Sequence, residues 1–188
     1  LAKDDFEQVL GMHAAPVLLG IKTANLLSFR KSCFEDFDAL LASYTTCFRC
    51  KGISVFRVSE GEEYVLLLFY RPGVLSKELR QPEAMKLLEA YGYRREDTLA
   101  ELLEHLRLRM RLRKTFPHEI GLFLGYPPED VAGFIEHKGR DYAFSGYWKV
   151  YANEERTRAL FDRYTDCSQH FCSELERGRR FEELVRAV

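Results

Sequence analysis

The sequence predicts a single-domain α/β or α+β protein in which helices cover a mixed sheet of at least three strands. Three observations carry this. Ile53 to Val58 and Tyr64 to Tyr70 are rich in β-branched and aromatic residues, and Ser59-Glu60-Gly61-Glu62 between them is turn chemistry, the signature of a β-hairpin. Thr98 to Leu112 carries Leu99, Leu102, Leu103, Leu106 and Met110 at the spacing of one helical face. No internal repeat, low-complexity tract or Gly/Ser-rich linker divides the 188 residues, so no domain boundary is drawn.

In chain order, a short helix is expected at Asp4 to Leu10, and Ala14 to Phe29, broken by Pro16 and Gly20, is left without an assignment. A helix over Ser32 to Cys50 follows from Phe34, Phe37, Leu40, Leu41, Tyr44 and Phe48. The second hairpin strand is apolar on both faces, which places it inside the sheet. Helices are expected at Ser76 to Leu79 and Pro82 to Tyr91, then at Thr98 to Leu112. Pro117 to Leu124 reads equally as a strand or as a short helix ending at Gly125. Pro128 opens a helix that stops at Gly139, Tyr142 to Tyr151 alternates as a strand, and Asn153 caps a long helix running to Gly178.

Composition narrows the function. Hydrophobic residues make up 46% and charged residues 30%, a globular balance, with 14 Phe and 10 Tyr suggesting an aromatic core. With 28 basic against 29 acidic residues, no global field draws the chain to nucleic acid or an anionic membrane. The longest apolar run, Val65 to Phe69, is too short to span a bilayer, and no signal-peptide layout opens the chain. A cytoplasmic protein is therefore expected, with no membrane and no nucleic-acid partner.

Five cysteines (Cys33, Cys47, Cys50, Cys167, Cys172) form no dense framework, so reduced, unbridged thiols are expected. Cys47 and Cys50 make a C-x-x-C pair. A thioredoxin-type pair needs its first cysteine at a helix N-terminus, and this one falls near the far end of the expected helix.

The densest unusual segment is Phe116-Pro117-His118-Glu119-Ile120-Gly121-Leu122-Phe123-Leu124-Gly125-Tyr126-Pro127, followed after one helix by Gly146-Tyr147-Trp148-Lys149-Val150-Tyr151. With His13-Ala14-Ala15-Pro16 and Gly20-Ile21-Lys22, these motifs resemble the bacterial domain-of-unknown-function family numbered 3793, seen chiefly in anaerobic Firmicutes. The resemblance covers most of the chain and implies no activity, cofactor or catalytic residue. In the pattern it implies, a cysteine commonly follows the first histidine. This chain has Ala14 there, so that nucleophile is missing.

Adjacent His118 and Glu119 can serve acid–base chemistry or coordinate a metal, or they can simply cap an element; they are not the H-E-x-x-H zinc motif, because Leu122 stands in the fifth place. His13 and Lys22 flank the interrupted apolar stretch and are second-site candidates with His118 and Glu119. Arg107, Arg109, Arg111, Arg113 and Lys114 crowd one helix, but spacing by two scatters them around it. No P-loop, dinucleotide fingerprint or nucleophile elbow is present.

The expectation is thus a small-molecule or cofactor-binding domain using Tyr126, Lys149, Tyr151 and Trp148, with no particular cofactor or reaction read from the chain. If the helix from Pro128 returns antiparallel and the strand from Tyr142 runs forward, His118 and Glu119 fall outside that cluster. The alternatives are a metal or redox protein using His, Glu or Cys, and a protein-interaction module docking through the basic helix.

Overall fold

The computed structural model describes residues 3–188. In chain order its elements are α1 (Lys3–Leu18), β1 (Ala24–Arg30), a 3-10 turn (Lys31–Cys33), α2 (Phe37–Ser43), α3 (Thr45–Lys51), β2 (Ser54–Glu60), β3 (Tyr64–Tyr70), α4 (Pro72–Leu79), α5 (Pro82–Glu89), α6 (Leu99–Leu112), α7 (Ile120–Phe123), α8 (Pro128–His137), β4 (Phe144–Ser145), β5 (Lys149–Val150), α9 (Glu154–Glu176) and α10 (Phe181–Leu184). They cluster into two compact units, Leu1–Pro72 with Asp166–Val188, and Gly73–Thr165. The architecture is α+β.

In the first unit the expected hairpin forms. β2 and β3 pair antiparallel, with Ser54 opposite Tyr70 and a register shift between Arg57 and Ser59. β3 is the central strand, flanked on its other edge by β1, where Ala24 lies opposite Tyr70 and Arg30 opposite Tyr64. This explains its composition. Val65, Leu67 and Phe69 enter the main core on one face, and Leu68, on the other, is equally buried. The core is built on aromatic contacts: Phe6 meets Phe29, Phe37 and Tyr44 at centroid distances of 5.5, 6.2 and 5.1 Å. Phe171 and Phe181 close it from the C-terminal part of the chain.

Three sequence expectations need correction. The third strand of the sheet is β1, from the unassigned stretch, and not Tyr142 to Tyr151; the latter holds only the two-residue strands β4 and β5 in a separate hairpin. The forward strand of a βαβ unit is therefore absent there. The helix expected over Ser32 to Cys50 is broken. Asp36 accepts the Ala39 N–H at 3.0 Å and starts α2, which ends at Tyr44; α3 then begins anew. The apolar stripe survives the break because Phe37, Tyr44 and Phe48 all still reach the core. Finally, α1 runs past Leu10 and through Pro16 before ending at Leu18, with Gly20 at φ 77° in the following turn.

Arg71, just beyond β3, is 3% exposed and has no carboxylate partner among the described residues. Its guanidinium donates to four main-chain carbonyls: Val17 at 3.1 Å, Leu18 at 3.1 Å, Lys51 at 2.5 Å and Arg186 at 2.7 Å. Val17 and Leu18 end α1 and Lys51 ends α3, so two helix C-termini turn carbonyls and negative dipole ends toward the cation, while Val17 O also accepts the Gly20 N–H and Leu18 O the Arg186 N–H. Burial still lowers the guanidinium pKa from its ordinary value.

None of the five cysteines is in a disulfide among the described residues. The new start at Thr45 puts Cys47 in the first turn of α3, yet its thiol is not activated. Burial, then the negative charge of Glu182, push its pKa up.

Two outcomes are expected. Arg71→Met removes the guanidinium's hydrogen bonds to four carbonyls, of which Val17 O and Leu18 O keep a main-chain donor, and lowers the free energy of urea unfolding by about 3 kcal/mol, while Arg71→Lys recovers only part because an ammonium lacks the guanidinium fork. A change within about 0.5 kcal/mol for Arg71→Met contradicts this role. Cys47 alkylates with iodoacetamide at neutral pH more slowly than the exposed Cys50, as read by peptide mass spectrometry; equal rates contradict the burial argument.

Candidate functional site

The unit Gly73–Thr165 is helical apart from the β4–β5 hairpin. α6 starts on a full capping box, in which Thr98 accepts the Glu101 N–H at 3.2 Å and Glu101 accepts the Thr98 N–H at 2.7 Å. Leu102, Leu103 and Leu106 are its buried face. After α6 the chain runs extended through Arg113, turns at Pro117 and forms the single-turn α7, which resolves the open reading of Pro117 to Leu124 in favour of a helix. Gly125, at φ 78°, reverses the chain into Tyr126 and the proline pair that opens α8.

Asp130, in the first turn of α8, holds the next part of the chain in place. It is 2% exposed and its carboxylate accepts three N–H groups: Trp148 Nε1 at 2.9 Å, Tyr151 N at 2.9 Å and Ala152 N at 3.2 Å. The start of α8 is thereby tied to the β4–β5 hairpin and to the chain leaving it. Trp148 lies between two rings, stacked on Tyr126 at 4.5 Å and edge-on to Phe161 at 4.5 Å. A Cβ at Gly121 would stand 2.7 Å from Tyr126 Cδ2, so only glycine leaves room for that ring. Likewise a Cβ at Gly133 would meet Tyr151 Cγ at 2.4 Å.

These elements enclose a cleft of about 590 Å³. Phe116, Tyr126, Phe134 and Tyr147 supply aromatic lining, and His118 and Lys149 add nitrogen functions. Lys149 Nζ donates to Gly139 O at 2.7 Å and stands 5.0 Å from the Tyr142 ring centroid and 5.7 Å from that of Phe134. The His118 ring lies 5.3 Å from the same Phe134 ring. Burial raises the Tyr126 hydroxyl pKa.

The structure regroups the residues singled out from sequence. Tyr126, Trp148 and Lys149 line one cleft, and His118, expected outside it, lines the same cleft. The antiparallel return on which its exclusion rested needed a forward strand that does not exist. Tyr151 turns away. Its ring stacks on His137 at 5.5 Å and its hydroxyl donates to Arg140 O at 2.9 Å.

Glu119 points opposite to its neighbour. It is fully buried, held by two N–H groups of Arg109 and by the Tyr93 hydroxyl at 3.2 Å. Arg109 also covers the Tyr91 ring at 4.7 Å. Burial alone would lower the Arg109 pKa, but the Glu119 hydrogen bond and charge hold it above its ordinary value. Burial first, and the Glu119 charge second, drive the Tyr93 pKa far upward. Glu119 is therefore an anchor that fixes the turn whose neighbours His118 and Ile120 face the cleft.

His13 and Lys22 belong to the first unit and do not line the cleft; His13 is exposed on α1, and the Lys22 N–H bonds Pro16 O. Among the described residues, no three His, Cys, Asp or Glu side chains form a group able to hold a metal ion. No helix among them is long and apolar enough to cross a membrane. Sequence reasoning missed Asp130, Phe134 and Phe116. The available signal was Asp130 itself, an acid three residues after Pro127 in a chain whose one tryptophan, 18 residues on, needs a partner for its N–H.

Fold and site together define an α+β protein with an aromatic-walled cleft in its helical unit. A family model matches residues 10–185, and the chain belongs to that family, described as protein of unknown function (DUF3793). No curated protein and no solved structure matches it.

The Arg109–Glu119 pair makes a direct prediction. Arg109→Met leaves a buried carboxylate without its counter-charge and destabilises the protein by about 3–5 kcal/mol, whereas Arg109→Met with Glu119→Leu recovers much of the loss. Urea unfolding of the singles and the double checks it; a double variant no more stable than Arg109→Met contradicts the assignment.

Proposed function

We propose that this protein binds a small molecule in the cleft of the Gly73–Thr165 unit. The observation that carries the reading is the cleft itself: about 590 Å³, inside the roughly 300–1,000 Å³ typical of small-molecule sites, with aromatic walls and few polar groups. Its rigidity supports the same reading. Asp130 fixes Trp148, Trp148 backs Tyr126, and Lys149 is held by Gly139 O, so little side-chain ordering remains for a ligand to impose.

Trp148 is the only tryptophan in the chain, which makes its emission a local reporter. In a thermal-shift screen of small aromatic and apolar compounds, those that raise the melting temperature also change Trp148 emission. Tyr126→Ala weakens them by about tenfold or more through lost aromatic contact, and Tyr64→Ala, exposed in the first unit, leaves them unchanged. A broad screen in which no compound moves Trp148 emission counts against the reading.

A second reading rests on α6. Leu108 and Leu112 are 50% and 76% exposed, and Arg111, Arg113 and Lys114 beside them are exposed and form no ion pair among the described residues. This apolar and basic surface fits an acidic amphipathic segment of a partner protein. Cross-linking from a photoreactive residue at position 112 tests it. Capture of an acidic protein that is lost in Arg111→Glu with Lys114→Glu, and lost at raised salt, supports it; capture indifferent to both removes it.

A further inference from the structure

If the cleft is a ligand site, as proposed above, its charges single out the class of ligand. Among the described lining residues Lys149 carries the one permanent positive charge and Asp130 the one carboxylate. The carboxylate is spent. Both its oxygens accept N–H groups and it is 2% exposed, turned into the wall. The ammonium is not. Of its three N–H donors, one goes to Gly139 O, the rings of Tyr142 and Phe134 lie beside it, and no carboxylate among the described residues is paired to it. A half-buried cation on an aromatic floor gains more from a counter-ion than one in open water.

The size of that counter-charge is bounded as well. No arginine is among the described lining residues, and the start of α8, where Asp130 and Val131 line the cleft, is unsuited to an anion. α8 opens with Pro127 and Pro128, which offer no N–H, and its first turn already holds the Asp130 carboxylate. One ammonium with no arginine fork beside it matches a single negative charge better than a dianionic phosphate.

We propose that the cleft takes a planar aromatic carboxylate, its ring against Tyr126 and Phe134 and its carboxylate on Lys149 Nζ. Calorimetric titration of the full chain with 1-naphthoate, 1-naphthamide and 1-naphthyl phosphate tests this. Naphthoate binds about tenfold or more tightly than the neutral amide, the worth of one charge-assisted hydrogen bond, and no more weakly than the phosphate. Lys149→Gln, which keeps a donor for Gly139 O, lowers naphthoate to the affinity of the amide and leaves the amide unchanged.

Equal binding of naphthoate and naphthamide, tighter binding of the phosphate, or a Lys149→Gln variant that still prefers naphthoate overturns the carboxylate assignment while leaving the cleft as a ligand site. Failure of all three compounds to bind at millimolar concentration removes the assignment together with the reading on which it rests. Should Lys149→Gln not fold, judged by circular dichroism, the three-compound comparison on the native chain decides alone.

Discussion

A cation removed from water must be solvated by something else, and the first unit is arranged around that requirement at Arg71. Four carbonyls from the end of α1, the end of α3 and the C-terminal segment converge on one guanidinium. Helix ends carry unbonded carbonyls that would otherwise need water. Arg71 adds donors at two such ends, where Val17 O and Leu18 O also accept main-chain N–H groups, and among the described residues it is held without an acidic partner. The strand that precedes it, β3, is central in the sheet, so the same residue joins the sheet to both helix ends.

The helical unit solves the opposite problem in the same manner. Asp130 is an anion removed from water, and its solvation shell is two main-chain N–H groups and an indole N–H. Among the described residues, Arg109 and Glu119 form the one arrangement in this unit where a fully buried carboxylate meets a guanidinium directly. All three devices place polar chemistry inside apolar packing, and the second and third hold two parts of the cleft lining: Asp130 holds Trp148, Glu119 the turn that carries His118. The cleft can then be lined mainly by apolar side chains because the charges that shape it face away.

Much of this was legible. The hairpin announced itself by β-branched and aromatic runs around a turn, and α6 and α8 by periodicity and by their terminal residues, Thr98 at one and Pro128 at the other. Helix breaks were not legible where an apolar stripe continues through them, as at Tyr44, since periodicity reports which face is buried and not whether the axis is continuous. β1 escaped because Pro16 and Gly20 made the whole stretch look irregular, although only the turn between α1 and β1 is. Tyr142 to Tyr151 alternated like one strand, yet Gly146 folds it back on itself. At the site, aromatic density pointed to Tyr126, Trp148 and Lys149, but Tyr151 shares that density and packs elsewhere. An acid in the first turn of a helix reads as a solvated cap, which is why Asp130 went unseen.

The two kinds of donor that Asp130 engages leave different traces in evolution. Tyr151 and Ala152 are gripped by their main-chain N–H groups, so the residue types at 151 and 152 can drift without loosening that hold. Trp148 is gripped by its side chain, and any replacement there without an N–H in the same place leaves the carboxylate short of a partner. Across relatives of this chain, covariation would therefore couple position 130 to position 148 and stay silent about 151 and 152, although all three bonds end on the same carboxylate.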